Sequence, residues 1–97
     1  MSYTARMETN MRILKWRLRV TDNQSLMMPA GAKVLDVQMQ GDNCCLWALC
    51  DEREPKEQRY FAIYGTGNPM PDTPGKYIAT FQMGGGALVF HVFEHAG

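Results

Sequence analysis

The chain has 97 residues, 45% of them hydrophobic and 10% aromatic, with ten basic and ten acidic side chains. That length supports one domain around a single modest core, and that composition excludes wholesale disorder. Zero formal charge removes the simplest argument for a nucleic-acid or membrane partner, yet the charge is unevenly placed: residues 1–20 hold five basic and one acidic side chain, a balance of +4, and residues 21–97 hold five and nine, a balance of −4.

Three cysteines, two of them adjacent, make a poor disulfide framework and fit a reducing compartment. No apolar run approaches the ~20 residues of a membrane span, and the first ten residues lack the apolar core of a signal peptide. The reading is a soluble intracellular protein. Met7 and Met11 precede the first patterned segment, so residues 1–10 read as a flexible leader and 11–97 as a single β domain.

Leu14, Trp16, Leu18 and Val20 alternate with Lys15, Arg17, Arg19 and Thr21, which predicts a half-buried strand with a basic outer face. A polar turn over 22–25 leads to Leu26-Met27-Met28, a short extended piece closed by Pro29-Ala30-Gly31. Leu35, Val37 and Met39 alternate with Asp36, Gln38 and Gln40 as a second one-sided strand. Gly41-Asp42-Asn43 then turns the chain, as an antiparallel hairpin, into residues 44–50, seven apolar residues in a row. A run so short and so apolar predicts the central strand, buried on both faces, with Trp47 in the core.

Residues 51–58 read as a charged loop because Pro55 argues against a strand there. Residues 59–64 form the fourth strand, with Tyr60, Ala62 and Tyr64 on one face and Phe61 and Ile63 on the other. Residues 65–75 hold three glycines and three prolines, the composition of an ordered loop. In the fifth strand Tyr77, Ala79, Phe81 and Met83 line one face, and Ile78, Thr80 and Gln82 the other. Gly84-Gly85-Gly86 turns into a sixth strand at 88–94, apolar at nearly every position. Six mostly antiparallel strands with no helical period predict an all-β fold, a small sandwich or barrel.

Leu26…Pro29-Ala30-Gly31-Ala32, Leu46-Trp47-Ala48-Leu49, Phe61…Tyr64-Gly65-Thr66-Gly67-Asn68-Pro69, Tyr77-Ile78-Ala79-Thr80-Phe81-Gln82 and Leu88-Val89-Phe90-His91-Val92-Phe93-Glu94 follow one another along the chain. This succession resembles a family of small uncharacterised proteins encoded by tailed phages and prophages. The resemblance covers about residues 11–94, and its most specific parts are the Gly-Thr-Gly loop and the final Phe-His-Val-Phe-Glu strand. It implies a phage or prophage origin and a bacterial host cytoplasm. It brings no activity and no functional residue with it.

The candidate chemistry is sparse. On a strand, Cys44 and Cys50 share a face about 20 Å apart at ~3.3 Å per residue, too far to hold one ion, and Cys45 points the other way. All three cysteines read as small buried hydrophobes, so no metal and no cofactor is expected. His91 and His95 lie about 13 Å apart on a strand, which makes chelation by the pair improbable. His91 reads as a hydrogen-bonded core or interface histidine, with a place in a ligand pocket as the lesser reading.

Gly65-Thr66-Gly67-Asn68 lacks the lysine and the helix of a phosphate loop and reads as a turn needing positive φ. With Tyr64 and Tyr77 beside it, this loop is the best candidate for a binding loop, and Thr66 and Asn68 are its polar groups. Lys15, Arg17 and Arg19 make a stripe on the scale of nucleic-acid phosphate spacing, with a solvated edge strand as the favoured alternative. Nucleic acid is disfavoured because Trp16 points inward, which leaves the basic face without a stacking aromatic.

No Ser/His/Asp or Cys/His arrangement can be assembled, so binding is favoured over catalysis. The leading expectation is a phage accessory protein that binds a bacterial host protein without catalysis, such as a host-takeover or anti-defence factor. One alternative is a module that sequesters a small anionic ligand or nucleotide, with the loop, His91 and the basic stripe supplying stacking and phosphate contacts. Another is a virion assembly component. No membrane partner is expected. Because the last strand is apolar on both faces, a homodimer is expected with Phe90 or Phe93 at its interface and His91 near the boundary.

Overall fold

The computed structural model describes residues 10–97. The expected leader lies outside the described residues except for Asn10, whose carbonyl accepts a hydrogen bond from the Glu52 N–H at 3.2 Å. Seven strands follow in order: β1 (Met11–Leu18), β2 (Gln24–Pro29), β3 (Lys33–Gln40), β4 (Asn43–Asp51), β5 (Lys56–Gly65), β6 (Lys76–Met83) and β7 (Leu88–His95). They form two antiparallel sheets, β1-β4-β3 and β2-β5-β7-β6. Of the small sandwich or barrel predicted from the alternation, the chain adopts the sandwich, its two sheets not closing into one barrel. The seventh strand is the short piece around Leu26-Met27-Met28, which pairs with β5 along its whole length.

The sheets enclose one apolar interior. Leu18, Met28, Val37, Leu46, Phe61, Phe81 and Val92 meet there, each almost wholly withdrawn from water. β3 and β6 run side by side where the sheets approach, and the Gln38 side chain donates across this seam to the Thr80 carbonyl at 3.3 Å. One ion pair faces inward: Arg59 on β5 holds Glu94 on β7 with two parallel hydrogen bonds and donates a third to the Ala32 carbonyl at 2.8 Å. This fork ties the β2–β3 turn to the middle of the larger sheet, and it satisfies groups that would be costly to leave unpaired.

Residues 44–50 do form the central strand, but of the three-stranded sheet. Cys44, Leu46, Ala48 and Cys50 point into the interior, while Trp47 and Leu49 are only half-buried on the other side. Trp47 is therefore an outer-face residue and not part of the core. An apolar run reads as two-sided, yet a sandwich offers each strand only one inner face.

Other boundaries moved for local reasons. β1 ends at Leu18 because the Gln24 side chain occupies both backbone groups of Arg19, leaving Arg19 and Val20 beyond the strand. β5 begins at Lys56, so Lys56, Glu57 and Gln58 belong to it rather than to a loop. Pro55 sits just ahead of that strand, where its missing N–H costs nothing and its carbonyl accepts from Ala30 at 2.8 Å.

Two bulges break the period of two. One falls between Val34 and Asp36, so Val34 turns inward and Leu35 is left 44% exposed. The other falls between Tyr77 and Ala79. It sends Tyr77 to the outer face, opposite Phe93, while Ala79 and Phe81 stay inside. The strict alternation that grouped Tyr77 with Ala79 is thereby corrected. Phe90 also turns inward, where it stacks on Phe81 at 5.6 Å, so Phe93 alone of the two candidate interface residues faces out.

Leu46→Ala should cost about 3–5 kcal/mol in urea unfolding, as a large-to-small change at a wholly buried site. Trp47→Ala should cost less, about 1–2 kcal/mol, because its outer-face ring is only half-buried. Equal losses would place Trp47 inside.

Candidate functional site

The outer face of the four-stranded sheet gathers a cluster of aromatic residues that the interior does not use. β5 supplies Tyr60 and Tyr64, β7 supplies His91, Phe93 and His95, and β6 supplies Tyr77 and Thr80. The register sets them side by side: Tyr64 and Thr80 both pair with His91, Tyr77 and Ala62 both pair with Phe93, and Tyr60 pairs with His95. Phe93 lies at the centre, with the Tyr64 ring 6.0 Å away at 65° and the Tyr77 ring 5.6 Å away at 71°. These are edge-to-face contacts, the arrangement that ring quadrupoles favour. Tyr60 and His95 form a second pair at 6.0 Å. None of the side chains from Tyr60, Tyr64, Tyr77, Thr80, His91, Phe93 or His95 carries a formal charge at pH 7 when the histidines are neutral.

A hydrogen-bonded chain runs across this face through His91. The Tyr77 hydroxyl lies 2.7 Å from Thr80 Oγ1, which lies 3.0 Å from His91 Nδ1. On the far side His91 Nε2 lies 2.7 Å from Thr66 Oγ1, and that hydroxyl donates to the Val89 carbonyl at 3.2 Å. Both ring nitrogens are engaged by threonine hydroxyls, and which of them carries the proton follows from the way the Thr66 and Thr80 hydroxyls point.

The loop at 65–75 borders the face. Thr66 N–H donates to the Val89 carbonyl at 3.0 Å, and Asn68 N–H closes a turn on the Gly65 carbonyl at 3.0 Å. Gly75 is the position where only glycine fits: its φ is +100°, and a Cβ there would stand 2.3 Å from the Glu94 carbonyl oxygen. Asn68 lines two open clefts. One of about 480 Å³ also involves Asp22, Asn23, Tyr64, Pro69 and Pro71. The other, of about 470 Å³, involves Thr66, Leu88 and Phe90.

Of the residues singled out from the sequence, Tyr64, Thr66, Tyr77 and His91 therefore meet on one surface, and Asn68 stands at its edge. Lys15 and Arg17 do not join them. They lie on the outer face of the other sheet, and Arg19 lies in the turn beyond β1. The ligand reading that combined the loop, His91 and the basic stripe is thus divided between two faces with the core between them. Thr80 and Tyr60 escaped the sequence reading. A threonine directly across from a histidine was the available signal for Thr80, but it needs the register of β6 against β7.

All three cysteines are free and buried, Cys44 and Cys50 toward the core and Cys45 on the outer side of β4. Among the described residues no group of three or more His, Cys, Asp or Glu could hold a metal ion. Burial, helped by the neighbouring Cys45, pushes the Cys44 thiol from its ordinary 9.0 up to about 11. The unfolded chain therefore releases this proton first, and stability should fall as pH rises from 9.0 to about 11. Urea midpoints across that range should drop more for the natural chain than for Cys44→Ala. An equal drop in both would remove Cys44 as the cause.

No helix among the described residues is long and apolar enough to cross a membrane. No curated protein matches this chain. No solved structure matches it either. The family described as Domain of unknown function (DUF7352) matches residues 9–97, nearly the whole chain, and the protein belongs to that family.

Proposed function

We propose that this protein works by non-catalytic binding to another protein through the aromatic outer face of its four-stranded sheet. The phage resemblance makes a component of the bacterial host the expected partner, and a host-takeover or anti-defence factor the expected role. The observation that carries this reading is the composition of the face: tyrosine and phenylalanine on a rigid sheet, with hydroxyls and imidazoles but no lysine, arginine, aspartate or glutamate among Tyr60, Ala62, Tyr64, Tyr77, Thr80, His91, Phe93 and His95, the adjacent Lys76–Glu94 pair falling on the alternate positions of its strands. Depletion of charge together with enrichment in aromatic residues is the signature of the centre of a protein interface. Tyr77 is 53% exposed, a large apolar area to leave in water.

Two features weigh against the other readings. Both ring nitrogens of His91 are already engaged by threonine hydroxyls, which disfavours general-base chemistry toward an outside substrate. A small anionic ligand would find no lysine or arginine among the residues packed around Phe93, so its phosphate would go unpaired there. A second copy of the chain would suit the same face, and Phe93 rather than Phe90 would lie at that dimer interface.

Affinity capture from bacterial lysate should recover a host protein with the natural chain. Tyr77→Ala and Phe93→Asp should each lose it, and Arg17→Glu should keep it. Retention by both face variants, with circular dichroism confirming that they fold, would overturn the assignment of the surface. Light scattering of the pure protein separates the homodimer arm: a mass near twice 11.0 kDa that returns to 11.0 kDa in Tyr77→Ala supports self-association through this face.

A further inference from the structure

We propose that the outer face of the three-stranded sheet is a separate binding surface for single-stranded nucleic acid, with Trp47 as its stacking platform and Lys15, Arg17 and Lys33 as its phosphate contacts. It lies on the opposite side of the sandwich from the aromatic face and does not depend on the protein-binding reading.

The geometry comes from the register of β4 with its two neighbours. Across the sheet, Lys15 pairs with Trp47 and Trp47 with Asp36. One step along the same face, Ile13 pairs with Leu49 and Leu49 with Lys33. One step the other way, Arg17 pairs with Cys45 and Cys45 with Gln38. Trp47 is thus a half-buried indole in the centre of a sheet face whose rims carry three cations. Ile13 beside it is 60% exposed. The stacking aromatic that the basic face lacked in the sequence reading is Trp47, contributed by the neighbouring strand rather than by β1.

The cations are available. Lys15, Arg17 and Lys33 take part in no ion pair among the described residues. The Lys15 ammonium donates to the neutral Gln40 side chain of β3 at 2.7 Å, which draws it across β4 and leaves it two further donors. One carboxylate faces Trp47 directly, that of Asp36, and its Oδ1 already accepts from the Val37 N–H at 2.8 Å. Asp51, one step beyond Leu49 on the same face, is neutralised by Arg53 at 2.8 Å, so three unpaired cations against Asp36 leave the face electropositive although the whole chain is neutral. Lys15 and Arg17 stand about 7 Å apart along β1, about twice the ~3.4 Å rise per phosphate of one strand.

An aromatic ring on which a base can stack, framed by cations that follow the backbone, is how single strands are held without sequence preference. A protein partner fits this face less well than it fits the other, because lysine is depleted from protein interfaces. The platform is three strands wide at ~4.8 Å per strand and spans two or three nucleotides, so weak binding is expected.

The test is fluorescence anisotropy of a labelled oligothymidylate titrated with the whole chain at low salt. Binding should appear below about 100 µM and weaken with salt at a logarithmic slope near −2, as three phosphate contacts on a single strand require. Arg17→Glu and Lys15→Glu, both at exposed positions, should each weaken it at least about fivefold. The oligonucleotide should also quench indole emission, because Trp16 packs against the core and leaves Trp47 as the indole in reach, and Trp47→Ala should remove most of the quenching and weaken the binding. No anisotropy change at about 100 µM, or one that Arg17→Glu leaves unaltered, would overturn the proposal. So would binding to phosphatidylserine vesicles with none to the oligonucleotide.

Discussion

One shared interior governs this molecule. Val37, Leu46, Phe61, Phe81 and Val92 must all point into the same space between two sheets. Strand side chains alternate with a period of two, so placing one residue of a strand inside decides the side taken by its neighbours. The outer faces are consequences of that packing. Trp47 faces out because Leu46 and Ala48 face in, and His91 and Phe93 face out because Val92 faces in. The Arg59–Glu94 fork completes the arrangement from within, joining β5, β7 and the β2–β3 turn where the apolar interior meets polar groups.

The departures from strict alternation carry as much meaning as the rule. A sheet that continued its period through Ile78 would bury Tyr77 beside Ala79, with a phenol that needs a partner. The bulge there lets Ile78 reach the core and turns Tyr77 outward, where its hydroxyl meets Thr80 at 2.7 Å. That one extra residue completes the Tyr77–Thr80–His91–Thr66 chain and sets the second ring against Phe93. The bulge at Leu35 does the corresponding work in the smaller sheet, keeping Val34 inside and turning Asp36 toward Trp47.

The two outer faces differ in chemistry, and the sandwich keeps them apart. One is aromatic and uncharged around Phe93, the other cationic around Trp47. The uneven charge along the chain foreshadows this, since β1 lies within the basic first twenty residues and forms an edge of the smaller sheet. A single small ligand cannot bridge the faces, in keeping with the two separate partners proposed for them. Neutral overall charge hides the division, because it averages over both sides.

The all-β class, the β3–β4 hairpin and the one-sidedness of β1 were legible in the sequence, because each follows from short-range alternation and turn chemistry that act within a few residues. The grouping of Tyr64 and Thr66 was also legible, as neighbours at one end of a strand. What lay beyond reach depended on pairing between distant strands. Tyr77 needed a bulge that no local signal announces, and Thr80 needed the register of β6 on β7. Trp47 sits in a run apolar on both sides, and such a run does not say which side is covered. Only the assembly of two sheets around one interior settles that, because burial belongs to the layers that meet and not to the strand alone.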